Sequence, residues 1–230
     1  MKTIGLIGGM SWESTVEYYR IINEEVKNKL GGLHSAKCIL YSVDFEVVER
    51  YQANGDWRKA GQLLGDAAQS LEKSGADFIV ICTNTMHKVV ADINKKISIP
   101  ILHIADATAN QIIEAEVRTV GLLGTKYTME QDFYKERIES NGIKVLVPNT
   151  TERELVNKVI YDELCLGEIN PSSRDYYKKV IQNLVDRGAE GIILGCTEVG
   201  LLVKQEDAEA PIFDTTLIHA IESVNFALKS

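Results

Sequence analysis

The feature that most constrains this chain is that its two halves carry the same succession of short apolar runs. Thr3-Ile-Gly-Leu-Ile-Gly-Gly reappears as Thr119-Val-Gly-Leu-Leu-Gly-Thr, Ile81-Cys-Thr-Asn-Thr as Leu194-Gly-Cys-Thr-Glu, and Pro100-Ile-Leu-His as Pro211-Ile-Phe-Asp. Three matches in the same order, at slowly drifting offsets near half the chain length, point to a duplicated unit far longer than a solenoid repeat. Chance likeness between buried strands is the competing explanation. The alignment sets Thr83 against Cys196.

The runs Thr3–Ile7, Cys38–Val43, Asp77–Cys82, Ile99–Leu102, Thr119–Leu123, Lys144–Val147, Gly191–Leu194 and Pro211–Phe213 read as strands. Between them, Thr15–Asn28, Trp57–Lys73, Met129–Ser140 and Ser173–Arg187 carry apolar residues at helical spacing. Strand and helix in alternation describe an α/β fold whose parallel strands are covered by helices on both faces. With the repeat, the expectation is two similar, pseudo-symmetric lobes, each a mostly parallel sheet flanked by helices. One spans 1–110 and the other 111–230, with the final helix free to pack back on the first. No linker composition marks the join, which falls loosely around Asp106–Glu116. Sheets of this kind bind ligands at the carboxyl ends of their strands.

The chain is 230 residues long and carries 25 basic against 33 acidic side chains, a net charge of −8. Nucleic-acid binding needs clustered Lys and Arg, so it is a poor expectation here. The start, with one Lys and an apolar run broken by glycines, is too short for a signal-peptide core or a membrane span, and a cytoplasmic protein is expected. Cys38, Cys82, Cys165 and Cys196 lack C-x-x-C spacing, and His34, His103 and His219 are dispersed with no metal-ligand spacing, so neither a disulfide framework nor a metal site is expected.

Three segments at strand ends can carry chemistry. Gly5-Leu-Ile-Gly-Gly-Met10-Ser11 lacks the parts of a dinucleotide or Walker loop; it is either an anion cradle of backbone N–H groups or a plain tight turn. Thr83-Asn84-Thr85 and Cys196-Thr197-Glu198 each follow a buried strand and precede helix-like sequence, where a helix N-terminus favours anions and lowers a thiol pKa. If the halves face each other, Thr83 and Cys196 approach one ligand from opposite sides. Racemisation needs such a pair, one group taking the α-proton and the other returning it to the opposite face. A small buried hydrophobe is the plainer role for Cys196. Glu198 either tunes that thiol or caps the following helix. His87 either tunes Thr83 or is a satisfied buried donor. Trp12 and Trp57 read as packing residues.

Gly-Gly-Met near the N-terminus, N-T-x-H at Asn84–His87 and G-C-T-E at Gly195–Glu198, together with I-P-I-L-H-I-A-D-A-T ending at Thr108 and L-L-G-T ending at Thr125, resemble the aspartate/glutamate racemase family over essentially the whole chain. The resemblance implies two pseudo-symmetric lobes with a substrate cleft between them, a small amino-acid substrate, no pyridoxal phosphate or metal, and a homodimer. It also implies substrate contacts from Met10, Ser11, Gln52, Asn84, Thr85 and Thr197. Arg50 is either a counter-ion for a side-chain carboxylate or an exposed helix-face charge.

The family pattern has cysteine at both facing positions, whereas this chain has Thr83 at the first, with Cys82 one place earlier on the opposite strand face. A hydroxyl is a far weaker acid than a thiol, so the expected chemistry is asymmetric, fast at Cys196 and slow or water-relayed at Thr83. The resemblance further implies a Lys in many relatives where this chain has Cys165, a departure that leaves the choice between aspartate, glutamate and broader polar substrates open. A catalytically weak amino-acid-binding sensor and a small-carboxylate isomerase or decarboxylase of the same superfamily are the competing readings.

Overall fold

The computed structural model describes residues 1–229, which form two compact units: Met1–His103 with the chain from His219 onward, and Ile104–Ile218. The first unit runs β1 (Ile4–Gly8), α1 (Trp12–Leu30), β2 (Cys38–Ser42), α2 (Phe45–Ala53), α3 (Trp57–Lys73), β3 (Phe78–Ile81), the single turn α4 (Val90–Ile93) and β4 (Ile101–Leu102). The second runs α5 (Ile104–Glu114), β5 (Thr119–Gly124), α6 (Lys126–Glu130), α7 (Asp132–Glu139), β6 (Lys144–Leu146), α8 (Thr150–Asp162), α9 (Pro171–Asp186), β7 (Gly191–Gly195), the single turn α10 (Val199–Leu202) and β8 (Ile212–Asp214). The last helix, α11 (Thr215–Leu228), begins in the second unit, and the chain rejoins the first at His219. Among the described residues no helix is long and apolar enough to cross a membrane.

Each unit is a four-stranded parallel sheet, in the order β2-β1-β3-β4 and β6-β5-β7-β8. The duplication read from the sequence extends to the pairing register. Ile4 pairs with Phe78 as Val120 pairs with Gly191, Ile7 with Ile81 as Leu123 with Leu194, and Ile79 with Ile101 as Ile192 with Ile212. Every one of the eight runs supplies a strand. The fourth is only two residues long, because Pro100 has no N–H for the ladder; its carbonyl accepts from Ile79 N.

The period of two along each strand builds the core of the first unit on both sheet faces. Ile7, Ile79 and Ile81 meet Ala60, Leu64, Ala67, Ala68 and Leu71 of α3. Ile4, Leu6, Phe78, Val80 and Cys82 meet Tyr18, Ile22 and Val26 of α1 and Ala220, Val224 and Ala227 of α11. In the second unit Val120, Leu122, Ile192 and Leu194 pack with Tyr134, Val156, Tyr177 and Val180 of the surrounding helices. Fully buried side chains of this size contribute about 1.5–3 kcal/mol each, so the strand carboxyl ends sit on rigid supports.

One expected helix differs in detail. Met129–Ser140 is divided at Gln131, whose extended ψ of 154° separates α6 from α7. α8 stops at Asp162, and Leu164–Leu166, which carry Cys165, form a separate 3-10 turn closed by Gly167 at φ 77°.

Candidate active site

In the first unit the candidate residues gather where β1 and β3 end. Cys82 N still bonds Ile7 O at 2.9 Å, but Thr83 N turns back to Ile81 O at 2.8 Å, a three-residue turn that takes the chain out of the sheet. Cys82 therefore keeps the strand alternation and lies in the core with Leu6, Val80 and Tyr18, where burial pushes its thiol above the ordinary range. Thr83 retains 9% exposure. Asn84 and Thr85 follow as buried residues leading into the 3-10 turn Thr85–Val89.

The glycine turn does something other than hold an anion with Gly9. Its N–H donates to Thr15 Oγ1 at 2.9 Å, and that hydroxyl donates to Ser11 O at 2.7 Å, stitching the turn to α1. Gly9 has φ 90°, and a Cβ there would strike the Val43 carbonyl, so the position needs glycine for conformation and for close approach. The tight-turn reading thus describes this glycine. Met10 packs in the cluster that holds Ile7, Val48, Ala60 and Met86, and Ser11 is buried beside it in sequence. Gln52, on α2, is buried and donates from Nε2 to Met86 Sδ at 3.0 Å. Arg50 on the same helix is exposed.

A cluster that sequence spacing did not reveal lies behind Thr83. His87, His103 and His219 are all buried, with ring centroids 4.5 Å apart for His87–His103 and 5.9 Å for His87–His219. His219 Nε2 meets Leu102 O at 3.0 Å, and its Nδ1 meets Tyr18 Oη at 2.9 Å. A carbonyl only accepts, so Nε2 carries the proton, Nδ1 accepts from the phenol, and the ring is neutral. Burial pushes His219 down to about 4. Burial, reinforced by His103 and His219, pushes His87 well below the ordinary imidazole value, and its Nδ1 donates to Thr83 O at 2.8 Å. The only sequence-level signal for this contact was the helical spacing from 83 to 87.

In the second unit Cys196 follows β7 directly and is 7% exposed. Its Sγ donates to Glu198 Oε2 at 2.9 Å, and Thr197 Oγ1 donates to the same oxygen at 2.9 Å. The lowered thiol pKa expected from a helix N-terminus is not found. Burial, then the Glu198 carboxylate, then Cys165 push Cys196 well above the ordinary thiol value. The following helix α10 is a single turn, too short for a useful dipole, and the adjacent carboxylate dominates. The Thr197 carbonyl accepts from Thr216 Oγ1 at 3.3 Å, and Asp214 Oδ1 accepts from Thr216 N at 2.9 Å, tying the β7 end to the start of α11. Glu198 is thus a buried acceptor for the thiol proton rather than a side-chain cap of α10. Cys196 is a thiol acid with a carboxylate at hydrogen-bonding distance, a pair able to give up and recover a proton. Among the described residues no group of three or more His, Cys, Asp or Glu side chains is placed to hold a metal ion.

The family model described as Asp/Glu/Hydantoin racemase matches residues 7–222. The chain is 24% identical to the broad specificity amino-acid racemase RacX of Bacillus subtilis, over 96% of each chain. Its fold superposes on a Yersinia pestis structure, described as a candidate Asp/Glu racemase, with TM-score 0.92 and 59% identity over 100% of both chains. An aspartate racemase homologue from Pyrococcus horikoshii superposes with TM-score 0.86 and 36% identity, again over 100% of both.

Proposed function

Since the chain belongs to the Asp/Glu/hydantoin racemase family of amino-acid racemases, we propose that it inverts acidic or other polar α-amino acids by a two-base 1,1-proton transfer, with Cys196 working on one face of Cα and Thr83 on the other. The observation that carries this reading is the Cys196–Glu198 contact at 2.9 Å. A buried thiol held protonated is a competent acid toward an α-carbanion. To act as a base it must first pass its proton on, and Glu198 Oε2 is the acceptor at hand. The S–H bond breaks as the O–H bond forms, leaving a thiolate to take the α-proton, and the sequence reverses on the return.

Thr83 supplies the second group through its hydroxyl. As a far weaker acid than a thiol it is seldom ionised and gives its proton up slowly: the O–H bond breaks as the new Cα–H bond forms, directly or through a water, and the oxygen recovers its proton from solvent. Asn84, Thr85 and Thr197 hold the α-carboxylate with backbone and side-chain donors, while Met10, Ser11 and Gln52 shape the substrate's surroundings. The reaction asks for two proton-transfer groups and no pyridoxal phosphate or metal, and the working form is a homodimer. The breadth in the name of the Bacillus subtilis relative favours a substrate range wider than aspartate and glutamate, and Cys165, where the family resemblance puts a Lys, permits it.

Incubating the protein with L-aspartate, L-glutamate and neutral polar amino acids, followed by chiral chromatography, tests this. The D-enantiomer of at least one should form, and Cys196→Ala should lower its rate by roughly 10²–10⁴-fold. Undiminished inversion by Cys196→Ala would refute the mechanism, and no inversion of any substrate would refute the function.

A further inference from the structure

The geometry points to His87 as a positioning residue that aims the Thr83 hydroxyl by holding the Thr83 carbonyl, an inference that rests on the two-base reading above. Both backbone polar groups of Thr83 are tied: its N–H to Ile81 O at 2.8 Å and its C=O to His87 Nδ1 at 2.8 Å. With the peptide planes on either side of Thr83 held, the direction of its Cβ is set. A β-branched side chain then has few rotamers left for its oxygen.

The imidazole that does the holding is itself immobilised. It lies edge-on to His103 at 4.5 Å and to His219 at 5.9 Å, and His219 is locked between Tyr18 Oη on α1 and Leu102 O at the end of β4. A buried row of polar rings therefore runs from α1 and α11 to the turn that carries Thr83.

Packing alone does not call for imidazoles here. Burying polar rings is costly unless each finds hydrogen bonds, and leucine would fill position 87 without that cost. What the imidazole adds over an apolar side chain is hydrogen bonding to the backbone of this turn, at Thr83 and at Asn84, and the bond to Thr83 O is the one that fixes the reacting residue. Reacting groups displaced by about 1 Å lose on the order of 10²-fold in rate, so this bond governs turnover rather than substrate affinity.

The test compares three variants of the full chain in D2O, following inversion by chiral chromatography and α-deuteration by mass spectrometry. His87→Leu should lower kcat for inversion by roughly 10–10²-fold with KM within about twofold. Deuterium wash-in with retained configuration should persist near the wild-type rate in the enantiomer that yields its proton to Cys196. Asparagine places its amide nitrogen where Nδ1 lies, so His87→Asn should recover most of kcat. Glutamine places its amide where Nε2 lies, so His87→Gln should not. Unchanged kcat in His87→Leu, or inversion and retained-configuration exchange falling together, would overturn the proposal. If His87→Leu fails to fold, the Asn and Gln variants decide: equal kcat overturns it and a clear advantage for Asn supports it. Wild-type protein that neither inverts nor exchanges any substrate would overturn the racemase reading itself, before any variant is compared.

Discussion

Acidification should destabilise this protein, in part through His219, and the size of that residue's share follows from its surroundings. The ring is 0% exposed and neutral, with Nε2–H donated to Leu102 O and Nδ1 accepting from Tyr18 Oη, and burial pushes its pKa to about 4 against an ordinary 6.5. Between those values the unfolded chain binds a proton that the folded one refuses. Stability is therefore fully present above the unfolded value and is lost as pH falls toward the folded one. From pH 7.5 to pH 5 the single-site linkage amounts to about 2 kcal/mol. The assay is urea unfolding at both pH values for wild type and His219→Gln, which retains a donor toward Leu102 but does not titrate. With a urea dependence of about 2 kcal/mol per molar, the wild-type midpoint should fall by roughly 1 M more than that of the variant. Equal falls in the two proteins, or a wild-type midpoint indifferent to pH, would refute the assignment of a buried neutral imidazole.

Two further outcomes concern the reaction. Glu198→Gln removes the acceptor 2.9 Å from the Cys196 thiol, and kcat should fall by about 10²-fold, with Glu198→Asp in between; steady-state kinetics showing Glu198→Gln at wild-type kcat would remove Glu198 from the mechanism. Thr83→Cys replaces a hydroxyl by a far more readily ionised thiol, and inversion monitored by circular dichroism should be faster in at least one direction; unchanged or slower rates both ways in a folded variant would sink the asymmetric two-base account.

The fold was largely legible because strand-level signals are local. Eight apolar runs and three repeated segments anticipated the strands, and the drift between repeats is matched by the shared register of Ile79↔Ile101 and Ile192↔Ile212. The break at Gln131 was not legible, since apolar spacing runs straight across it and only the backbone turns. At the candidate site, Thr83 and Cys196 could be singled out because both lie at the carboxyl end of a buried strand, Cys196 directly after β7 and Thr83 two residues after β3. The histidine cluster could not: Tyr18 and His219 are 201 residues apart, and spacing along the chain says nothing about such a pair. The sense of the Cys196 shift was also misjudged from sequence, because a helix N-terminus was visible there while the depth of burial and the aim of the Glu198 carboxylate were not. Gly9 shows the same limit, its N–H being committed to Thr15 by a turn geometry that composition does not specify.

In the proposed mechanism two groups, one from each half of the duplicated chain, act on opposite faces of a single Cα. Solvent-deuterium incorporation at Cα during a single conversion in D2O, resolved by enantiomer, tests it most directly. The account predicts α-deuterium in the product of inverted configuration. Exchange confined to the starting enantiomer would leave Cys196 acting alone, and binding with neither exchange nor inversion would make the protein an amino-acid sensor; either result contradicts the account.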